Sequence, residues 1–274
     1  MSLIDPVIQD FYTSSAEDTR LQTGLGPLEF LRNKQLIADH LPERAAWIAD
    51  IGGGTGHYAA WLAGLGHQVI LVDPVPKHVL LAGKRSKKSK RSFQCVLGEA
   101  RRLPIADQTA DLVILHGPLY HLQQQGDRIA ALKEARRILR PGGIIIGFAI
   151  TYAATTLAAL QNGMIHHPDI YAMCKQELQS GEHEAPTAFP GMLAQAYFHK
   201  PAEFLAEFEA VGLRKIRMCA VEGIAWLDAR FFQSWVVPEK QQCLLDLISL
   251  TDTDPELLCL SPHLMLAAEV DYDF

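Results

Sequence analysis

No apolar run in this sequence reaches the ~18 residues that a membrane-spanning helix needs. The first residues, Met-Ser-Leu-Ile-Asp-Pro, also lack the basic-then-apolar layout of a secretory leader. The five cysteines, at 95, 174, 219, 243 and 259, are odd in number and scattered, with no Cys-x-x-Cys pair. That usage offers neither a disulfide framework nor a zinc cluster and suits a reducing compartment. Positive charge is short as well. Against 31 Asp and Glu stand 25 Lys and Arg, a formal net charge of −6, which argues against bulk affinity for nucleic acid or anionic membrane. No internal repeat recurs at a period of about 20–50 residues. A soluble cytoplasmic protein is the expectation. What is present is bulk: 274 residues, 49% of them hydrophobic, enough for one large core with or without a lid.

The stretch Ala49-Asp50-Ile51-Gly52-Gly53-Gly54-Thr55-Gly56-His57 organises the rest. An apolar run from Ala45 to Ile51 reads as a buried strand carrying a carboxylate, followed by four glycines and a helical pattern opening near His57. Glycine lets backbone approach a ligand closely. A glycine turn between strand and helix also presents free N–H groups and the positive end of a helix dipole. A plain structural turn needs fewer glycines. Two nucleotide-type readings remain. Gly54, Gly56 and Ala59 satisfy the dinucleotide spacing G-x-G-x-x-A, but begin late after the strand. Asp50, Gly52, Gly54 and Gly56 fit Asp-x-Gly-x-Gly-x-Gly without slippage, and this resembles the first motif of the class I S-adenosylmethionine-dependent methyltransferases.

The following hundred residues extend the resemblance. A helix over His57–Leu65 stops at Gly66, and a second strand, Gln68–Val72, runs into Asp73-Pro74. An acidic residue there, about 20 residues beyond the glycine turn, is placed to accept both hydroxyl protons of a ribose; Asp73 as a helix N-cap is the alternative. A strand over Phe93–Leu97 leads into Gly98-Glu99-Ala100 and Leu103-Pro104, and Ala110–Leu115 reads as strand four. An amphipathic helix capped by Asp127 then runs to Leu139, and Arg140-Pro141-Gly142-Gly143 precedes strand five, Ile144–Ile150. These motifs, in this order over Asp50–Ile150, are similar to those of the same family. The resemblance implies that Asp50 and the glycine turn hold the methionine end of the cofactor and Asp73 the ribose. Glu99 then reads the adenine, where many relatives carry Asp, and Pro74, Ala100 and His116 complete the site. It further implies an α/β fold, a doubly wound, mostly parallel seven-stranded sheet with an antiparallel last strand.

Strand four ends in His116-Gly117-Pro118-Leu119-Tyr120-His121. It lacks the amide and second proline with which DNA-adenine and protein-glutamine methyltransferases hold their substrates. Tyr120 and His121 offer a phenol and an imidazole where the acceptor should sit, the histidine as a proton acceptor; core packing is the alternative for both. Residues 1–44 carry two helical patterns, Ile4–Tyr12 and Leu28–Leu41. In this family such helices often cover the cofactor, which makes Tyr12 and Arg20 candidates for that cover. Residues 151–200 form a long insertion, rich in His, Met and aromatics, that leaves strand five at the ligand edge and reads as an acceptor-binding lid. Its histidines lack metal-ligand spacing, so no metal is expected. Lys84–Arg91 packs six cations into eight residues, and it precedes strand three, the edge away from ligands, where it reads as a solvated helix end. Residues 201–274 supply a helix from Pro201, an edge strand Leu213–Val221 with Glu222-Gly223 at the ligand side, a helix Pro238–Leu250 and a last strand His263–Val270.

The sequence therefore divides into an N-terminal cover (1–44), a cofactor half (45–150), a lid (151–200) and the rest of the core (201–274). The expected activity is methyl transfer from S-adenosylmethionine to a small-molecule acceptor. No nucleic-acid or membrane partner is expected, and a second copy of the chain is a candidate partner. A nicotinamide-dependent oxidoreductase and a non-catalytic cofactor-binding protein are the alternatives.

Overall fold

The computed structural model describes residues 6–14, 17–189 and 191–271. Three helices come first: α1 Pro6–Ser14, α2 Glu17–Arg20 and α3 Gly26–Ala38. The core then alternates strand and helix: β1 Trp47–Ile51, α4 His57–Gly64, β2 Gln68–Asp73, α5 Pro76–Lys88, β3 Gln94–Leu97 and β4 Ala110–Leu115. A short helix α6 Pro118–His121, then α7 Gln125–Ile138, lead to β5 Leu139–Ile150. The seven-stranded sheet has the order β3-β2-β1-β4-β5-β9-β8, where β8 is Leu213–Ala220 and β9 His263–Val270. β1 to β5 pair in parallel, and β9 lies antiparallel to both neighbours. The α/β fold, the seven strands and the antiparallel last strand are as the sequence implies.

Strands buried on both faces require continuous apolar runs, and β2, β4 and β9 have them in residues 69–72, 112–115 and 264–268. Each face of the sheet carries its own core. On one, Leu132, Ile138, Phe204 and Phe208 pack from α7 and from α10, Pro201–Glu209; on the other, Leu36, Ile37, Ala59 and Leu62 pack from α3 and α4. Element ends shift by a few residues from the sequence reading, and two of the differences have a clear cause. Asp127 does not cap α7, which starts after Gln124; it sits in the first turn, 3.1 Å from Arg101. β5 starts at Leu139 rather than Ile144, because a register shift between Ala110 and Leu112 lets the Pro-Gly-Gly stretch join the sheet.

Residues 151–200 form a side unit. Two helices, α8 Ala154–Asn162 and α9 Pro168–Ser180, and a hairpin of β6 Glu182–Glu184 with β7 Gln195–Tyr197 surround a small core of Ala159, Ile170, Met173 and Cys174. Its ends meet where Thr151 bridges His199. His183 is held by Glu177 at 2.6 Å and stacks on Phe198 at 4.7 Å, so this histidine is a packing element. The remaining helices, α11 Phe231–Trp235 and α12 Pro238–Thr251, pack with Leu28 of α3.

The basic run is mixed. Lys87, Lys88 and Lys90 are exposed as expected, but Arg85 is not a solvated cation. It donates to the Thr55 carbonyl at 2.9 Å and to Asp18 at 2.6 Å, tying α2 to the glycine turn.

This packing separates two side chains that the lid reading treats alike. Phe198 is 3% exposed and Tyr171 59%. Phe198→Ala should therefore cost about 3–5 kcal/mol in chemical unfolding, while Tyr171→Ala should stay within about 0.5 kcal/mol. Equal stability of the two variants would contradict the packing described.

Candidate functional site

The glycine turn folds sharply because Gly52 and Gly54 adopt φ of +72° and +57°, values that side-chain-bearing residues rarely take. Behind the turn, Asp50 is fully buried, with Oδ1 3.0 Å from Nδ1 of His116. A Cβ at Gly53 would come within 2.6 Å of the Asp50 carboxylate, so the second glycine of the run makes room for that group. In front, Asp73 accepts the N–H of Gly54 and the N–H of Val75, both at 2.9 Å, and lies 3.1 Å from Nδ1 of His78. Asp73 is thus not the N-cap of α5, a place taken by Val75.

A cavity opens over this turn at the carboxyl edge of the parallel strands. Of the residues proposed from sequence, Tyr12, Arg20, Gly52, Gly54, Asp73, Pro74, Glu99, Ala100, His116, Tyr120 and His121 line it. Asp50 and Gly56 do not. Asp50 supports His116 from behind, and Gly56 opens α4, where a Cβ would press on Phe93 at 3.0 Å. Among the described residues none that lines the cavity belongs to 151–200, whereas α1–α3 contribute Tyr12, Glu17, Arg20, Glu29 and Asn33. The reason is topological: the insertion's ends pair with each other and its helices turn to their own core.

Strand order divides the cavity. Gly52–Gly54, Asp73 and Glu99 follow β1, β2 and β3, while His116, Phe148 and His263 stand at β4, β5 and β9. The order reverses between β1 and β4, the place where open α/β sheets bind ligands. Glu99 lines the first half but accepts from Arg101 Nε at 2.8 Å. Its carboxylate is therefore shared with a cation rather than reserved for a ligand.

The cover is held by charge. Arg20 donates to both carboxylate oxygens of Glu29, at 2.6 and 3.0 Å, and to Glu17 at 2.9 Å. Burial opposes ionisation of Glu29, yet Arg20 brings it down to about 2. Tyr12 hydroxyl lies 2.7 Å from Nε2 of His121. Burial, with Arg20 and His78 nearby, drives the His121 imidazole down to about 3, and burial raises the Tyr120 phenol. A base that weak accepts a proton poorly at neutral pH, which counts against the role given to His121 from sequence.

Sequence reasoning missed much of the second half. Asn33 donates to the Tyr58 hydroxyl at 2.9 Å, and His116 is stacked between Tyr58 and Phe148 at 4.1 and 4.8 Å. Arg32 fixes α3 above this end by donating to the Val221 carbonyl and to Asp252. Four lining residues keep buried polar atoms with no hydrogen bond among the described residues: Asn33 Oδ1, His78 Nε2, His116 Nε2 and His121 Nδ1. Buried polar atoms are normally satisfied, so these mark where a polar ligand would complete the wall. Glu29, Glu222 and His263 bring ligand atoms within 4.8 Å of one another, but Arg20 already occupies Glu29 as its cation.

Residues 49–147 match the family described as "Methyltransferase domain". A demethylmenaquinone methyltransferase of Staphylococcus saprophyticus is 36% identical over 102 residues, 37% of this chain and 39% of that enzyme. The chain thus spans about two fifths of that relative's length. Among solved structures, the PH0226 protein of Pyrococcus horikoshii OT3 is similar with a TM-score of 0.63 at 15% identity, covering 96% of this chain and 99% of the other. The N-methyltransferase NodS of Bradyrhizobium japonicum WM9, solved with S-adenosylhomocysteine, has a TM-score of 0.57 at 16% identity, covering 97% and 99%. At such identities the likeness is one of fold.

The state of His121 has a thermodynamic signature. Its folded value lies below the ordinary ~6.5, so the unfolded chain binds the proton first as pH falls. His121 therefore contributes a loss of stability on going from about pH 6.5 toward about 3, with a slope of at most about 1.4 kcal/mol per pH unit. His121→Asn should flatten the curve of unfolding free energy against pH in that window. An unchanged slope would show that His121 titrates normally.

Proposed function

We propose that the chain is a methyltransferase of the class I, S-adenosylmethionine-dependent type and that it methylates a small molecule bound at the β4–β5–β9 end of the cavity. The observation that carries this reading is the joined cavity at the switch point, with the glycine turn and Asp73 at one end and an aromatic and ionisable wall at the other. S-adenosylmethionine, when bound, supplies a methyl group already activated on a sulfonium. The chain's own work is then alignment and exclusion of water.

The residues fit that cofactor. Gly54 faces open space, with nothing within 4 Å of where a Cβ would stand, so the backbone there meets a ligand unhindered. With Val75 and His78 on Oδ1 and only Gly54 on Oδ2, Asp73 keeps a lone pair at Oδ2 for a ribose hydroxyl. Ala100 and Val75 offer apolar contact for a purine, and the orphaned atoms of Asn33 and His116 suit the polar groups of an amino acid moiety. Tyr12 and Arg20 close the cavity from above, which favours an acceptor small enough to be enclosed. The exposed Lys87 and Lys88 end α5 and Lys90 follows it, at the entry to β3, and they have no part in this reading.

Calorimetric titration with S-adenosylhomocysteine tests the cofactor site. Asp73→Ala should weaken binding by roughly 10–100-fold, the scale of a hydrogen bond to a charged group. Asp73→Asn, which keeps the shape of the turn, should show a similar loss, and NAD should bind no variant comparably. Undiminished affinity in a folded Asp73→Ala protein would remove Asp73 from the site. Tight binding of NAD would favour the oxidoreductase alternative.

A further inference from the structure

Glu222 and His263 stand side by side at the acceptor end of the cavity. β8 ends just before Glu222 and β9 begins at His263, and the antiparallel pairing of these strands brings both ends to one edge. Oε1 of Glu222 lies 2.7 Å from Nδ1 of His263, while Oε2 accepts the His263 N–H at 3.1 Å and the Ser261 hydroxyl at 3.0 Å. The carboxylate is therefore fixed at both oxygens and 1% exposed, whereas the imidazole keeps 26% of its side chain open and lines the cavity. With Nδ1 directed at Glu222, the ring's remaining polar atom is Nε2, which takes no hydrogen bond among the described residues.

We propose that His263, oriented by Glu222, accepts the proton of the acceptor's nucleophile through Nε2, and that the acceptor is accordingly an O–H or N–H compound. This rests on the methyl-transfer reading above and names the acceptor class for that same site. The proton of the O–H or N–H moves to Nε2, the electron pair it leaves forms the bond to the methyl carbon, and the carbon–sulfur pair stays on sulfur. Nothing further is required to balance the step. Glu222 selects the tautomer with the proton on Nδ1, which leaves the Nε2 lone pair for the acceptor, and then stabilises the imidazolium.

The charges around the ring support this assignment. Burial by itself lowers the imidazole, but the Glu222 carboxylate outweighs it and raises the group above its ordinary value. Glu29, on α3, acts in the same direction, and Arg20, on α2, against it. His121, by contrast, has Nε2 engaged by Tyr12 and no carboxylate at Nδ1. The same three groups, Glu29, Glu222 and His263, could in geometry chelate a cation. Arg20 on both oxygens of Glu29 speaks against that use.

The test needs no natural acceptor. NMR titration of the His263 ring, in full-length protein saturated with S-adenosylhomocysteine, should give a value above an ordinary histidine. Glu222→Gln should shift it down by about a unit or more, and Glu222→Asp should recover part of the shift. 4-Nitrophenol serves as a chromophoric O–H probe. Bound to the wild type it should absorb as the phenolate at a pH where the free dye is mostly protonated, and that excess should disappear in His263→Gln. An unshifted His263 in Glu222→Gln, or the same dye ionisation in wild type and His263→Gln, would overturn the proposal. So would zinc binding at His263 that is lost in Glu29→Gln, since the cluster would then be a metal site. Failure of the wild type to bind S-adenosylhomocysteine would instead sink the cofactor reading and is seen separately.

Discussion

A carboxyl group that no water reaches shapes the centre of this molecule. Asp50 is 0% exposed, and a buried polar group is costly unless hydrogen bonds replace its water. His116 supplies one across the gap between β1 and β4, where the sheet order reverses. The demand propagates outward. Residue 53 must lack a side chain to admit the carboxylate, the imidazole must stay in one plane, and Tyr58 and Phe148 hold it there from both sides. One buried contact thus couples the glycine turn, which faces the cofactor end, to the aromatic wall of the acceptor end.

Around that centre, charge is arranged in alternation. Arg20, Glu29, His263 and Glu222 succeed one another from α2 across to the ends of β8 and β9. Each carboxylate has a cationic or hydrogen-bonding neighbour, so the desolvation of one group is offset by the next. A second such knot, Arg128 on Glu207 at 2.7 Å with its guanidinium over the Tyr197 ring at 3.8 Å, lies under the insertion. It joins α7, α10 and β7, and it is structural where the first is open to the cavity.

The cofactor half was legible in the sequence because it is local. Asp50 lies one residue from the end of β1, and the glycines, Asp73 and Glu99 each end or follow a strand; strand ends on a parallel sheet share one edge whatever the rest of the chain does. The acceptor half was not, because its parts are brought together only by tertiary structure. Glu29 looks like any charged position on an amphipathic helix, and His263 like the first residue of a strand. Only the pairing of β8 with β9, and the tether of α3 through Arg32 to Val221, place them in one wall. Glu222 gave the one usable signal, an acid just past a strand at the ligand edge. Composition misled in the insertion, whose aromatics and histidines suit a cavity but satisfy each other, as His183 does with Glu177 and Phe198.

The insertion leaves the core through one doorway. Thr151 and His199 bridge each other, and the backbone on either side is tied by His199 N–H to the Ile150 carbonyl at 2.8 Å and Tyr152 N–H to the His199 carbonyl at 3.0 Å. A segment whose ends are already joined costs the core almost nothing in chain entropy when its length changes, since closure depends only weakly on loop length. Residues 152–198 are in that sense a cassette. Evolution, or an engineer, is free to vary the part of it that turns away from the sheet, whereas β7 has to stay, because it packs on α6 of the cavity wall and its Tyr197 carries the Arg128 guanidinium.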